Sequence, residues 1–189
     1  MFNMPVVIFA GGKSSRMGED KALLPFASYP TLAQYQYERL QKLFTKVYIS
    51  SKTNKFNFEA PLILDNYSQS SPLVGIVTIF ETLEANEVFV LSVDAPFVNE
   101  EIIKTLIESS HNSSATIAKT KSGKQPLCGV YRHSILEEAL KNLKQDNHRL
   151  GYLLKQTHST FIEFEDELMF SNLNHPFEYK EALNRVKTT

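Results

Sequence analysis

The chain has 189 residues, 42% of them hydrophobic and 22% charged, with a formal net charge of −1. That length fits one domain, 1–189, and the near-neutral balance supplies no global basic field for nucleic acid. The one cysteine, Cys128, excludes an internal disulfide and a cysteine-built zinc cluster, and no apolar run approaches the ~18 residues of a membrane span.

A reducing, cytoplasmic setting suits a lone cysteine. The N-terminal apolar stretch is only a strand's length and lacks a basic segment or cleavage site, so no leader is expected. Met4–Ala10 predicts the first strand, and residues 14–24 a loop with room for one helical turn. Thr31 can cap a helix running to about Phe44, with Leu32, Tyr35, Leu40 and Leu43 as its apolar stripe. Lys46–Ser51 and Leu62–Leu64 read as strands, the second ending at Asp65. Pro72 suits the first position of a helix with Leu73, Ile76, Val77, Phe80 and Leu83 inward.

Val88–Val93 is almost continuously apolar, which predicts a central parallel strand covered on both faces and ending at Asp94. Asn99 can cap a helix that buries Ile102, Ile103, Leu106 and Ile107. Ala115–Lys119 and Leu127–Tyr131 are strands around a turn at 121–124. Helices follow over Ile135–Leu143 and Leu150–Lys155, then strands at Thr160–Phe164 and Met169–Phe170, and a closing helix over Pro176–Val186. Strands alternating with helices predict an α/β, single-domain, Rossmann-like layered sheet, mostly parallel, with helices on both faces. Ligands of such sheets sit at the carboxyl ends of strands. The loop after the first strand, Asp65 and Asp94 are therefore expected to converge.

That loop, Phe9 to Lys21, reads FAGGKSSRMGEDK. It holds Gly11, Gly12 and Gly18, three of only seven glycines, with Lys13, Arg16 and Lys21 interleaved. Glycines let backbone N–H groups approach an anion, and cations neutralise phosphate charge. A P-loop is excluded, because the first glycine of GxxxxGK[ST] would fall at Val7. GxGxxG fails as well, since Gly11 and Gly12 are adjacent. The remaining pattern, [LF]AGG-x-S-x-RMG-x-DK, resembles the signature loop of the molybdenum cofactor guanylyltransferase (MobA) family of nucleotidyltransferases. Ser71-Pro72-Leu73-Val74-Gly75-Ile76, Val93-Asp94-Ala95-Pro96-Phe97 and the N-x-N-x-P run at Asn172, Asn174 and Pro176 resemble that family's later blocks, in order.

The resemblance implies a nucleotidyltransferase fold whose N-terminal part binds nucleotide and whose C-terminal part binds the acceptor. It implies transfer of GMP from GTP to the terminal phosphate of molybdenum-molybdopterin, with release of pyrophosphate. Phe9, Ala10, Gly11, Gly12 and Asp65 would contact the nucleotide. Arg16 and Lys21 would hold its phosphates as catalytic cations, and Asp94 would be the catalytic ligand of Mg2+. Asn172 and Asn174 would donate amide hydrogen bonds to the acceptor; helix capping before Pro176 is the other reading. Implied partners are the molybdenum insertase and molybdoenzyme maturation chaperones.

Sister cytidylyltransferases tend to carry alanine at the position of Gly11 and aspartates at Asn172 and Asn174, so guanine is favoured. CTP, a sugar phosphate, or a non-catalytic nucleotide-binding role are the alternatives. Phe9 replaces the usual leucine, Ser50-Ser51 an asparagine contact, and Gln125-Pro126 an R-x-P or H-P element. Lys119, Lys121, Lys124 and Arg149 read first as a solvated charged face and second as donors to the pterin phosphate. His148 reads as surface, and Cys128 as a small core residue.

Overall fold

The computed structural model describes residues 1–12 and 17–187. Arg16, with Lys13 to Ser15, lies outside the described residues.

A seven-stranded sheet divides the molecule into two cores. Its order is β3-β2-β1-β4-β6-β5-β7. The strands are β1 (Val6–Phe9), β2 (Val47–Ser51), β3 (Leu62–Leu64), β4 (Glu87–Ser92), β5 (Ala115–Thr120), β6 (Gly123–Arg132) and β7 (Ser159–Glu163). All neighbouring pairs are parallel except β4–β6 and β5–β6. The expected parallel surroundings of the central strand therefore hold on one side of β4 only. A two-residue turn at Lys121-Ser122 returns β6 antiparallel to β5, and β6 is longer than its apolar core suggested because Gly123, Lys124 and Gln125 also pair.

Side chains alternate across each strand. Val6 and Ile8 face a core with helices α1 (Leu32–Gln41), α3 (Glu100–Glu108) and α6 (Pro176–Lys187). Val7 and Phe9 face a core with α2 (Pro72–Thr82), α4 (Leu136–Lys144) and α5 (Leu150–Gln156). Thr31 and Asn99 cap their helices as expected, and Ser71 caps the helix that Pro72 was expected to start. Thr31 Oγ1 accepts from Gln34 N at 3.1 Å, Ser71 Oγ from Val74 N at 3.2 Å, and Asn99 Oδ1 from Ile102 N at 3.0 Å.

Two features depart from the pattern of hydrophobic residues. Met169-Phe170 is not a strand; it closes a 3-10 turn over Glu167–Phe170, capped by Asp166 accepting from Leu168 N. A short Asp/Glu start followed by three apolar residues suits a capped turn as well as an edge strand. In α1 the fully buried face is Leu32, Ala33, Gln36 and Leu40; Tyr35 and Leu43 pack against the same core only partly buried, Leu43 beyond the helix end at Gln41, and the buried Gln36 was not expected.

Candidate functional site

Strand register builds the site. Phe9 pairs with Ser92 across β1 and β4, so the two strands end side by side. After β1 the chain moves outward through β2 and β3, then crosses back to β4 on the other flank of β1. That reversal opens a crevice at the carboxyl ends of β1 and β4. The glycine loop leaves β1 there, and Asp94 follows β4 two residues beyond Ser92.

Lys21 and Asp94, far apart in sequence, form an ion pair there, with side chains only 16% and 11% exposed. Lys21 Nζ also donates to Asn174 Oδ1 at 3.0 Å. Ser92 Oγ donates to the other Asp94 oxygen at 2.6 Å. The C-terminal segment is docked by its backbone, through Leu173 N donating to Asp94 O at 3.0 Å. Three chain regions thus converge on one lysine and one carboxylate. They border a cavity of about 230 Å3 lined also by Ala10, Gly11 and Gly12.

The loop itself is held from outside. Asp20 Oδ1 accepts from Ala22 N at 3.0 Å, starting the 3-10 turn Lys21–Leu23. Its other oxygen pairs with Lys55 Nζ, which also donates to Ala10 O at 2.8 Å. Lys55 therefore ties the end of β1 to the residue before Lys21. No sequence pattern marked it, because its partners are 45 and 35 residues away.

A second cavity, about 120 Å3, opens on the opposite side of Phe9 and the two glycines, toward Asp65 and Ser71. Asp65 Oδ1 is buried and has no hydrogen-bond partner among the described residues. Burial pushes the Asp65 carboxyl above its usual pKa, with the Lys52 charge opposing. Ser50 lines this cavity too, although no contact was expected of it from sequence. Gly75 lies against Phe9: a Cβ there would stand 2.5 Å from the ring. The missing Cβ of Gly75 leaves room for the Phe9 ring.

A third cavity, about 190 Å3, shares Ser92 and Asp94 with the first and is lined by Gln125, Pro126 and Asn172. Asn172 Nδ2 donates to Gln125 Oε1 at 3.4 Å. Asn172 and Asn174 thus serve different cavities on either side of Asp94. Helix capping before α6 falls to Glu178, whose carboxylate accepts from Asn174 N and His175 N.

The other basic residues stay outside. Lys119 pairs with Glu163 at 3.5 Å, and Lys124 stands 3.7 Å over the Phe161 ring. Lys121 and Arg149 are exposed. Cys128 is buried, its thiol pushed up to about 12 by burial, so it stays a neutral core residue. His148, expected at the surface, is half-buried and bonded to Ser71.

Comparison with known proteins identifies the family and the fold. Residues 6–160 match the family described as the MobA-like NTP transferase domain. A molybdenum cofactor guanylyltransferase of Campylobacter jejuni (strain RM1221) is 40% identical over 185 residues, covering 96% of each chain. One from Helicobacter pylori (strain ATCC 700392 / 26695) is 40% identical over 191 residues, covering 98% of this chain and 94% of its own. The crystal structure of molybdopterin-guanine dinucleotide biosynthesis protein A from Archaeoglobus fulgidus superposes with a TM-score of 0.85 over 98% of this chain and 100% of that one, at 21% identity. That last likeness is one of fold.

Proposed function

The chain belongs to the MobA-like NTP transferase family, and from that premise we propose that it transfers GMP from GTP to the terminal phosphate of molybdenum-bound molybdopterin. Pyrophosphate is the other product. The observation that carries the reading is the meeting of Lys21, Asp94 and Asn174 beside the glycine loop.

A terminal phosphate oxygen of the acceptor attacks the α-phosphorus of GTP, and the bond from that phosphorus to the β-phosphate bridging oxygen breaks. The nucleophile is already anionic, so no side chain has to remove a proton. The obstacle is charge: two anions meet, and more negative charge gathers on the leaving group. Fixed cations and backbone donors lower that barrier. Lys21 supplies one such cation, oriented by Asp94 and Asn174. Arg16 is the second proposed cation. Gly11 and Gly12 offer backbone N–H groups to the phosphates.

The residues fit Mg2+. Two carboxylates line the cavity, Asp20 held by Lys55 and the Ala22 N–H and Asp94 held by Lys21 and Ser92. Asp94 is a largely buried oxygen donor beside space for phosphate oxygens and water, the ligand mix Mg2+ prefers. When bound there, Mg2+ would neutralise phosphate charge and polarise the phosphorus. Ser92 fixes the Asp94 carboxylate for that role.

The nucleoside would occupy the cavity of Phe9, Asp65 and Ser71, and the acceptor phosphate that of Asn172 and Gln125. The whole chain, 1–189, acts as one domain. The acceptor would come from the molybdenum insertase, and the product would pass to molybdoenzymes or their chaperones, in the cytoplasm. Among the described residues no helix is long and apolar enough to cross a membrane.

Thermal shift with Mg2+ and each of GTP, CTP, ATP and UTP tests the reading, on wild type and Asp94→Ala. A ligand at about 100 times its Kd stabilises by about 2.7 kcal/mol, or roughly 5–10 °C for a domain of this size. A shift with GTP alone, weakened in the variant, supports it. A shift with CTP alone moves the assignment to a cytidylyltransferase. Pyrophosphate release on addition of molybdenum-molybdopterin then separates an enzyme from a nucleotide binder.

A further inference from the structure

Ser71, His148 and Asp146 form a hydrogen-bonded chain at the edge of the nucleoside cavity. Ser71 Oγ lies 2.9 Å from His148 Nδ1, and His148 Nε2 lies 3.1 Å from Asp146 Oδ1. Gln69, in the loop before Ser71, donates to the same Asp146 oxygen at 3.2 Å. Asp146 has φ 57°, the left-handed region, so the backbone turns sharply to present this loop. The loop between α4 and α5 is in this way fastened to the loop that leads into α2.

The direction of each bond follows from what each atom can do. A carboxylate only accepts, so His148 Nε2 carries the proton that faces Asp146. In the neutral ring Nδ1 is then a lone pair, and the Ser71 hydroxyl must donate to it. One oxygen lone pair of Ser71 receives the Val74 N–H that caps α2. The described residues thus take the hydroxyl hydrogen and one lone pair, leaving one lone pair for whatever enters the cavity. Ser71 is held as an acceptor.

Asp65 Oδ1, on the wall of the same cavity, is a buried acceptor without a partner among the described residues. Two acceptors, Asp65 Oδ1 and Ser71 Oγ, thus stand on a wall that also carries the Ser50 and Ser70 hydroxyls, which can donate or accept, and the two acceptors suit a base that brings donors. Guanine carries N–H donors on adjacent atoms, N1 and the exocyclic N2. Cytosine and adenine carry one exocyclic amine beside acceptor atoms, which would face an acceptor and leave it unpaired. We infer that Ser71, fixed by His148 and Asp146, is a specificity residue that accepts a hydrogen bond from the exocyclic amine of guanine. The inference rests on the guanylyltransferase reading and adds the group that selects the base.

ITP tests it, because hypoxanthine is guanine without the exocyclic amine. Calorimetric Kd values for GTP, ITP and CTP, each with Mg2+, are measured on wild type, Ser71→Ala and His148→Phe. Wild type is expected to bind GTP about tenfold more tightly than ITP. The ratio should fall close to one in Ser71→Ala, which also loses a helix cap. In His148→Phe the cap remains, but the hydroxyl is free to rotate, and the ratio should fall to about threefold. A ratio unchanged in Ser71→Ala, or near one in wild type, overturns the inference while leaving GTP as the substrate. A ratio unchanged in His148→Phe overturns the role of the histidine. Wild type that binds CTP and not GTP overturns the guanylyltransferase reading and this inference with it.

Discussion

The side-chain amide of Gln36 donates to the carbonyl of Val93 at 3.0 Å, so helix α1 grips the residue that precedes Asp94. Gln36 is completely buried, and its oxygen accepts from Arg39, whose guanidinium donates to Val98 O at 2.8 Å. The segment carrying Asp94 is thus held at both ends by one helix. Gln36→Leu keeps the volume but leaves buried partners unmatched, and should cost about 1–3 kcal/mol in urea denaturation. It should also lower kcat, since Asp94 loses its support. Unchanged stability and kcat would show that the segment holds itself.

Phe9 and Gly75 should behave as a coupled pair. A Cβ at position 75 would stand 2.5 Å from the Phe9 ring, which lines the nucleoside cavity. Alanine is the better helix former, by about 1 kcal/mol. A ring pushed off Gly75 has the cavity it lines as open space. Gly75→Ala is therefore expected to weaken GTP binding at least tenfold while moving Tm by only a few degrees. Adding Phe9→Leu should restore affinity. Additive effects of the two changes in Kd would disprove the coupling.

How legible this site was depended on the range of each interaction. The glycine loop, Lys21 and Asp94 stood out because strand ends and phosphate chemistry leave local marks. The caps Thr31 and Asn99 were readable for the same reason, as each acts within three residues of itself. Gln36 and Lys55 were not readable. A buried glutamine in an apolar stripe looks like a solvated one until the sheet is assembled, and Lys55 sits in a polar loop among other polar residues. His148 was misread as surface because its partner Ser71 is 77 residues away. The antiparallel β6 was hidden too, since an apolar strand reads alike in either direction.

Gly11 should be dispensable for the fold and not for the base. A Cβ there meets no atom of the described residues within 4 Å, and its φ lies outside the left-handed region, unlike that of Gly12 at 128°. Gly11→Ala should therefore change stability by less than about 0.5 kcal/mol. Gly11 borders both the phosphate and the nucleoside cavities, so the added methyl would be felt by the nucleotide alone. Affinity for GTP should fall relative to CTP. An unchanged ratio would remove Gly11 from base choice.

Asp65 should make the empty protein less stable as pH rises. Burial raises its folded-state pKa above the value of the unfolded chain, with Lys52 opposing. Between those two values the folded form holds more proton than the unfolded form, so stability falls as pH climbs through that window and stays lower above it. Asp65→Asn removes the titration. Its Tm should exceed that of wild type at about pH 7 and lose the slope that wild type shows from about pH 4 upward. The same variant should bind GTP several-fold more weakly, because a neutral amide is a poorer acceptor than a carboxylate. A carboxylate that destabilises the empty cavity yet strengthens the complex is one kept for its ligand. If Asp65→Asn matched wild type in GTP affinity, the buried oxygen would have no such ligand, and its burial would be an incidental strain of the strand end.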